Sequence, residues 1–120
     1  ISFNHYAYGA VVDWIYRNIG GIVPTTPGYR RVSIAPRPQV ALTSCRSAIE
    51  SGYGRIALEW EIRDGNLVGE LTVPFGVEAT FDLLGSANSS LIVDSASVER
   101  GHVLGAGTHT FLFNNPLISR

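Results

Sequence analysis

The sequence predicts a mainly β fold, an antiparallel, jelly-roll-like β-sandwich preceded by one N-terminal α-helix. Three observations lead to this fold class. The hydrophobic residues recur with a period of about 3.6 up to residue 22 and with a period of about 2 after residue 28. Short alternating segments then follow one another, separated by Gly, Pro and Asn, as is typical of a sandwich. A hydrophobic content of 45% with 16% charged residues is sufficient for a packed core.

Residues 4–19 form the predicted helix, with Ser2 or Asn4 as its N-cap and Gly20-Gly21 as its end. Apolar residues occupy most of its circumference, which is the pattern of a helix buried on every side. The neighbours of such a helix must come from outside the sandwich, so we expect residues 1–22 to be the last helix of a larger helical domain. The apolar positions are Ala7, Tyr8, Ala10, Val11, Val12, Trp14, Ile15, Ile19 and Ile22.

A linker is predicted at residues 23–28, because this stretch carries two prolines and a glycine. The sandwich is then expected to span residues 29–120. Val32 and Ile34 share the inner face of its first strand, and residues 40–50 supply one or two further strands.

The clearest strand covers residues 53–63, where apolar and polar residues alternate as in a half-buried antiparallel strand. Asp64-Gly65 is typical of a tight hairpin turn, after which residues 67–73 return alongside. The positions predicted to face the core are Ile56, Leu58, Trp60, Ile62, Leu67, Gly69, Leu71 and Val73.

The remaining strands are predicted from shorter alternating runs. They cover residues 77–83, a pair within 91–94 and 98–104, and a last strand at 108–113. The sandwich is therefore expected to contain about seven to nine strands.

Composition argues against several classes of partner. Nine Arg against ten acidic residues give a net charge of -1, so neither nucleic acid nor an anionic membrane surface is an expected partner. The single cysteine, Cys45, cannot form an internal disulfide and is best interpreted as a small buried apolar residue. No apolar run approaches the ~20 residues that cross a bilayer.

Two sets of polar residues could form a catalytic or metal site, but each has a simpler interpretation. Glu59 and Glu61 have the strand spacing of a glycosidase acid–base pair, but they alternate with the apolar stripe and are better explained as exposed charges. The histidines, His5, His102 and His109, lack the spacing of metal ligands. We therefore expect no metal and no cofactor.

Several stretches of the chain carry a family resemblance. They are Ser2-Phe3-Asn4-His5-Tyr6-Ala7-Tyr8-Gly9-Ala10-Val11, Trp14-Ile15-Tyr16-Arg17, Gly20-Gly21-Ile22, Pro27-Gly28-Tyr29-Arg30-Arg31, Ile34-Ala35-Pro36-Arg37-Pro38, Tyr53-Gly54-Arg55-Ile56 and Gly105-Ala106-Gly107-Thr108-His109-Thr110-Phe111. Together they resemble the C-terminal region of bacterial and fungal α-L-rhamnosidases, glycoside hydrolase family 78.

This resemblance implies that residues 1–22 are the last inner helix of an (α/α)6 catalytic barrel, against which the sandwich packs. It implies that His5 contacts the sugar, with Asn4 and Tyr6 as weaker contributors. The reaction it implies is hydrolysis of terminal α-L-rhamnose with inversion, by a general acid and base upstream of this chain. The implied partners are the rest of the catalytic domain and a rhamnose-containing glycoside, and these 120 residues are expected to be inactive alone.

Two alternatives stay open at the level of sequence. The sandwich could itself bind carbohydrate, for which Tyr53 and Phe75 are the candidate exposed aromatics. It could also be a purely structural module without any ligand contact. The sequence is compatible with either a cytoplasmic or a secreted protein, and Asn88-Ser89-Ser90 matches the N-glycosylation acceptor pattern.

Overall fold

A computed structural model describes residues 21–119 of the chain. In this range the chain forms ten β-strands and one 3-10 turn at Pro27–Tyr29. The strands are β1 (Ile22–Pro24), β2 (Arg31–Ile34), β3 (Ser44–Ser51), β4 (Gly54–Arg63), β5 (Asn66–Val73), β6 (Glu78–Phe81), β7 (Leu91–Val93), β8 (Ala96–Val98), β9 (Val103–Leu104) and β10 (Gly107–Phe113).

These strands make two sheets that share one core. The smaller sheet has the order β1-β2-β6-β9 and the larger one the order β3-β4-β5-β10-β7-β8. All pairings are antiparallel except that of β2 with β6, which is parallel. The mainly β class is confirmed, but the parallel pair departs from the all-antiparallel, jelly-roll-like arrangement that the sequence predicts.

The core lies between the inner faces of the two sheets. The smaller sheet contributes residues such as Ile22 and Val32, and the larger one contributes Trp60 and Phe113, all at most 1% exposed. Trp60 faces inward, as the alternation predicts. Burying a large apolar side chain contributes roughly 1.5 to 3 kcal/mol, so these strands are held mainly by their inner faces.

The central hairpin matches its sequence pattern closely. Strands β4 and β5 pair from Ala57 with Thr72 to Arg63 with Asn66, around the turn at Asp64-Gly65. Both turn residues have positive φ, 52° and 80°, which is the geometry of a two-residue turn that suits the right-handed twist of the strands.

The first strand begins earlier than the sequence pattern predicts. The helix predicted at residues 4–19 lies outside the described residues. Within the predicted linker, Val23 and Pro24 belong to β1, which pairs with β2 over three residues. Pro24 is tolerated there because β1 is an edge strand, where a missing N–H costs no ladder bond. The sheet therefore begins at Ile22, before the segment that the prolines mark as a linker.

The sandwich has two ends. The end at which Gly21, the first described residue, lies is named here the N-proximal end, and the opposite one the distal end. The N-proximal end contains Gly21 and the segments 35–43, 64–65, 82–90 and 114–119. The distal end contains the turns at 52–53 and 74–77 and the segment 105–106. Strand β4 runs between the two ends and, at about 3.3 Å per residue, keeps them roughly 30 Å apart.

Candidate functional site

Two exposed aromatic side chains lie in neighbouring turns at the distal end. Tyr53 belongs to the turn between β3 and β4, and Phe75 belongs to the turn between β5 and β6. Tyr53 is 47% exposed and Phe75 is 90% exposed. The Tyr53 ring covers Gly76, since a Cβ at that glycine would lie 2.8 Å from Tyr53 Cδ1. The two turns therefore present one aromatic patch, named here the distal patch.

Local hydrogen bonds hold the two turns in place. The Ser51 hydroxyl donates to the Gly54 carbonyl at 2.7 Å and accepts from the Tyr53 N–H at 3.2 Å. In the second turn, the Val77 N–H donates to the Pro74 carbonyl at 3.2 Å. Gly76 has a φ of 92°, which leaves Phe75 at the outer corner of the turn. An aromatic face held on a rigid turn can stack against a sugar ring or an apolar protein surface.

A cleft of about 690 Å³ crosses the outer face of the larger sheet. Two ion pairs lie in it, because Arg46 Nε lies 3.2 Å from Glu59 Oε2 and Arg63 pairs with Glu61, and Glu70 adds a third carboxylate to the lining. The Glu59 and Glu61 side chains are 59% and 44% exposed. A glycosidase general acid is normally held in a buried, apolar site, and these exposed, ion-paired carboxylates do not have such surroundings. The structure thus supports their interpretation as exposed sheet charges.

His109 connects three segments near the distal side of the larger sheet. Its Nδ1 lies 2.7 Å from Asp94 Oδ2, and its Nε2 lies 2.9 Å from the Gly105 carbonyl oxygen. Asp94 Oδ1 also accepts from the Thr110 N–H at 3.0 Å. Because both ring nitrogens face acceptors, the arrangement favours the imidazolium, in which both nitrogens donate.

The pKa values of this pair move in opposite directions. Partial burial acts to lower the pKa of His109, but the hydrogen bonds to Asp94 and to the Gly105 carbonyl raise it above its usual value. The hydrogen bond from His109, together with that from the Thr110 N–H, lowers the pKa of Asp94. The pair ties the β7–β8 turn to β10 and to the segment before it.

Cys45 lies next to the core and has no sign of catalytic activation. Burial raises the pKa of its thiol, which keeps it protonated and poorly nucleophilic. Among residues 21–119, no three His, Cys, Asp or Glu side chains converge in a way that could hold a metal ion. The same residues contain no helix of the length and apolarity needed to span a bilayer.

The residues predicted as sites fall into two groups. His5, Asn4 and Tyr6 lie outside the described residues, so their role in sugar binding stays a prediction. Tyr53 and Phe75 are exposed on two turns that meet where the Tyr53 ring covers Gly76, and their contact with glycan likewise stays a prediction.

A second set of exposed apolar residues, which no sequence pattern predicts, lies at the N-proximal end. Val40, Leu84 and Leu117 are 67%, 45% and 60% exposed there and form what is named here the N-proximal surface. They come from three irregular segments that have no alternating pattern, so no periodic signal marks them. Only the folded chain brings them to the same end.

Within residues 21–119 the structure defines a two-sheet β-sandwich domain with an apolar surface at each end and a charged, exposed outer face. The sequence model of the family described as Bacterial alpha-L-rhamnosidase C-terminal domain matches residues 21–97. The chain belongs to this family.

Individual relatives agree with this assignment. An Alpha-L-rhamnosidase of Formosa agariphila is 40% identical over 100 residues, covering 83% of this chain and 11% of that protein. An Alpha-L-rhamnosidase of Streptomyces avermitilis is 48% identical over 73 residues, covering 61% of this chain and 7% of that protein. The crystal structure of Streptomyces avermitilis α-L-rhamnosidase complexed with L-rhamnose matches with a TM-score of 0.71 and 36% identity, covering 92% of this chain and 11% of that one. This chain therefore spans about a tenth of the length of the relatives it matches.

Proposed function

We propose that this chain is the C-terminal part of an inverting α-L-rhamnosidase, in which the sandwich covers and braces the catalytic domain. The observation that carries the proposal is the family match over residues 21–97, which covers the sandwich from β1 into β8. The partners of the sandwich are then the rest of the catalytic domain and, through that domain, a rhamnose-containing glycoside.

The outer cleft supports assigning catalysis to the rest of such an enzyme and not to the sandwich. An inverting glycosidase needs a carboxylic acid of raised pKa and a carboxylate that activates water. Glu59 and Glu61 of the cleft are exposed and ion-paired, as surface charges of a structural module are. The general acid and base are therefore assigned to the remainder of the parental protein, and these 120 residues are inactive alone.

The N-terminal segment is assigned the contribution to the sugar pocket. His5 hydrogen-bonds rhamnose hydroxyls or supports the catalytic water, and Asn4 and Tyr6 assist. This part of the proposal rests on the resemblance of the Asn4-His5-Tyr6 run to the family pattern.

Activity measurements on the full-length parental protein test the proposal. The full-length protein should hydrolyse 4-nitrophenyl α-L-rhamnoside, whereas the 120-residue chain alone should not. Proton NMR should detect β-L-rhamnose as the first product, as inversion requires. His5→Ala in the full-length protein should lower kcat/KM by about tenfold or more, which corresponds to the loss of one hydrogen bond. His102→Ala is the matched control, and a full-length protein without rhamnosidase activity would refute the proposal.

A second candidate function is carbohydrate binding by the sandwich itself, which the distal patch favours. Its test is a titration of the 120-residue chain with L-rhamnose and with other sugars, followed by tyrosine chemical shifts. Binding that Tyr53→Ala and Phe75→Ala abolish, and that Leu117→Ala leaves unchanged, would support a carbohydrate module. No binding to any sugar would leave bracing as the role of the sandwich.

A further inference from the structure

The cleft on the outer face of the larger sheet has an apolar floor. Val68 of β5 lies directly opposite Leu112 of β10, which in turn lies directly opposite Ile92 of β7. All three residues line the cleft, and Ile92 is 37% exposed. Neighbouring strands are about 4.8 Å apart, so this row extends for about 10 Å across the sheet. None of the three belongs to the core cluster that the described residues form, and the row faces the cleft instead.

A polar row lies beside this floor, two residues away along β5 and β10. Glu59 of β4 lies opposite Glu70 of β5, and Glu70 lies opposite Thr110 of β10. Residues two apart on a strand share one face of the sheet and are separated by about 6 to 7 Å. The two carboxylates and the hydroxyl therefore border the apolar floor along one side.

Glu70 occupies this border at a cost to the stability of the sheet. Its direct cross-strand neighbour is Glu59, and like charges in that position are destabilising. Arg46 pairs with Glu59, whereas Glu70 forms no ion pair with any of residues 21–119. Such departures from favourable local pairing are expected at functional sites. The exposed Glu70 carboxylate is able to accept hydrogen bonds from a ligand.

The lining of the cleft fits an uncharged ligand that has hydroxyl groups and an apolar side. Two arginines, Arg46 and Arg63, stand against three glutamates, and each arginine is paired with one of them. One carboxylate is left in excess, so the cleft does not attract a strongly charged ligand. Carboxylates accept hydrogen bonds from hydroxyl groups, and guanidinium groups donate to them. The volume of about 690 Å³ lies within the range of about 300 to 1,000 Å³ that is typical of small-molecule sites.

We propose that the outer cleft binds a 6-deoxyhexose residue of a glycan. Such a sugar carries a methyl group in place of a hydroxymethyl group, and its methyl and ring C–H groups pack on the apolar floor. Its hydroxyl groups hydrogen-bond to Glu70 and Thr110. The expectation that the sugar is L-rhamnose rests on the proposed function, whereas the site itself rests on the cleft. No residue of the distal patch lines the cleft, so the two candidate sites are separate.

NMR titration of the ¹⁵N-labelled 120-residue chain tests this site. L-Rhamnose at up to about 100 mM, which covers a Kd of about 1 mM, should shift the amide signals of Val68, Leu112 and Ile92. The amide signals of the distal turns, 52–53 and 74–77, should stay in place. L-Mannose differs from L-rhamnose only by a hydroxyl group on C6. It should bind about tenfold more weakly, because the apolar floor offers that hydroxyl no hydrogen bond.

Two substitutions separate the polar and the apolar parts of the site. Glu70→Gln should weaken L-rhamnose binding by about fivefold, because a charged acceptor is replaced by a neutral one. Ile92→Ser should weaken it by a similar factor through loss of apolar contact area. The matched controls are Glu78→Gln, at an exposed glutamate of the smaller sheet, and Phe75→Ser, at an exposed apolar residue of the distal patch. Both controls should leave binding unchanged, and signals away from each substitution verify that the sandwich is retained.

Four results would overturn the proposal. They are unshifted cleft amides at about 100 mM sugar, shifts confined to the distal turns and removed by Phe75→Ser, equal affinity for L-mannose and L-rhamnose, and unchanged binding in both cleft variants. The second result would assign sugar binding to the distal patch. Rhamnosidase activity of the full-length protein is measured separately, so a failure of this site and a failure of the proposed function are distinguishable.

Discussion

At Gly69 the packing of the larger sheet leaves no room for a side chain. This residue lies on β5 between Trp60 on β4 and Phe111 on β10, and the Phe111 ring covers it. A Cβ at this position would lie 2.6 Å from Phe111 Cζ. Gly69→Ala should therefore destabilise the fold by about 1 to 3 kcal/mol through overpacking. Urea unfolding measures this, with Gly52→Ala as the control because no atom lies within 4 Å of its added Cβ. Equal stability of the two variants would contradict the packing seen here.

The His109–Asp94 pair predicts how stability varies with pH. The raised pKa of His109 stabilises the fold fully below the ordinary histidine value of 6.5, and this contribution is lost as pH rises through the folded-state value. The lowered pKa of Asp94 stabilises the fold above its ordinary value of 3.8, and this contribution is lost as pH falls through the folded-state value. The pair should therefore stabilise the fold most at mildly acidic pH.

Urea unfolding of His109→Gln between mildly acidic and mildly alkaline pH measures this contribution. The substitution should cost stability at mildly acidic pH, and the cost should shrink as the pH rises. His102→Gln, at an exposed histidine, is the control variant and is measured over the same pH range. An identical slope in the His109→Gln variant and the unsubstituted chain would rule out the proposed linkage.

The turn between β4 and β5 allows the free-energy cost of a left-handed backbone conformation to be measured without a steric clash. Gly65 has a φ of 80° and no atom lies within 4 Å of an added Cβ, so a substitution there changes conformation without a clash. Gly65→Val should cost about 1 to 2 kcal/mol, the penalty of a left-handed conformation for a side chain. Asp64→Asn should be tolerated, because Asn-Gly is equally suited to this turn. Thermal unfolding of the two variants measures the difference, and a neutral Gly65→Val would contradict the turn geometry.

The strands also differ in how far the sequence could predict them. β4 and β5 are predicted to within about a residue, because each buries one face and exposes the other over a long run. β8 has no buried residue and β9 has only two residues, so neither could produce a strong alternating pattern. β1 has no strand pattern of its own, because Ile22 continues the apolar periodicity of the preceding segment and the prolines after it are typical of a linker.

At the scale of the whole molecule, the strand order could not be deduced from local pattern. The parallel pairing of β2 with β6 joins residues more than forty positions apart, for example Val32 with Ala79. Local alternation predicts which face of a strand is buried but not which strand lies beside it. For the same reason, the sequence predicts the exposed aromatics of the distal patch only one by one. The N-proximal surface is visible only in the folded chain, because its residues are far apart in the sequence.

The position of Ile22 in the core indicates where the independently folding unit begins. Among residues 21–119, every member of the core cluster lies between Ile22 and Phe113, and Ile22 itself is 0% exposed. A chain that begins at Gly21 should therefore unfold in one cooperative transition. A chain that begins at Tyr29 lacks β1 and leaves the site of Ile22 empty. It should be less stable by about 2 to 5 kcal/mol, the cost of emptying a large aliphatic site. Ile22→Ala in the full chain should reproduce much of that loss. Urea unfolding followed by the fluorescence of buried Trp60 measures all three proteins. Equal stability of the two truncated chains would place the domain boundary after the prolines and would deny β1 its role in the sheet.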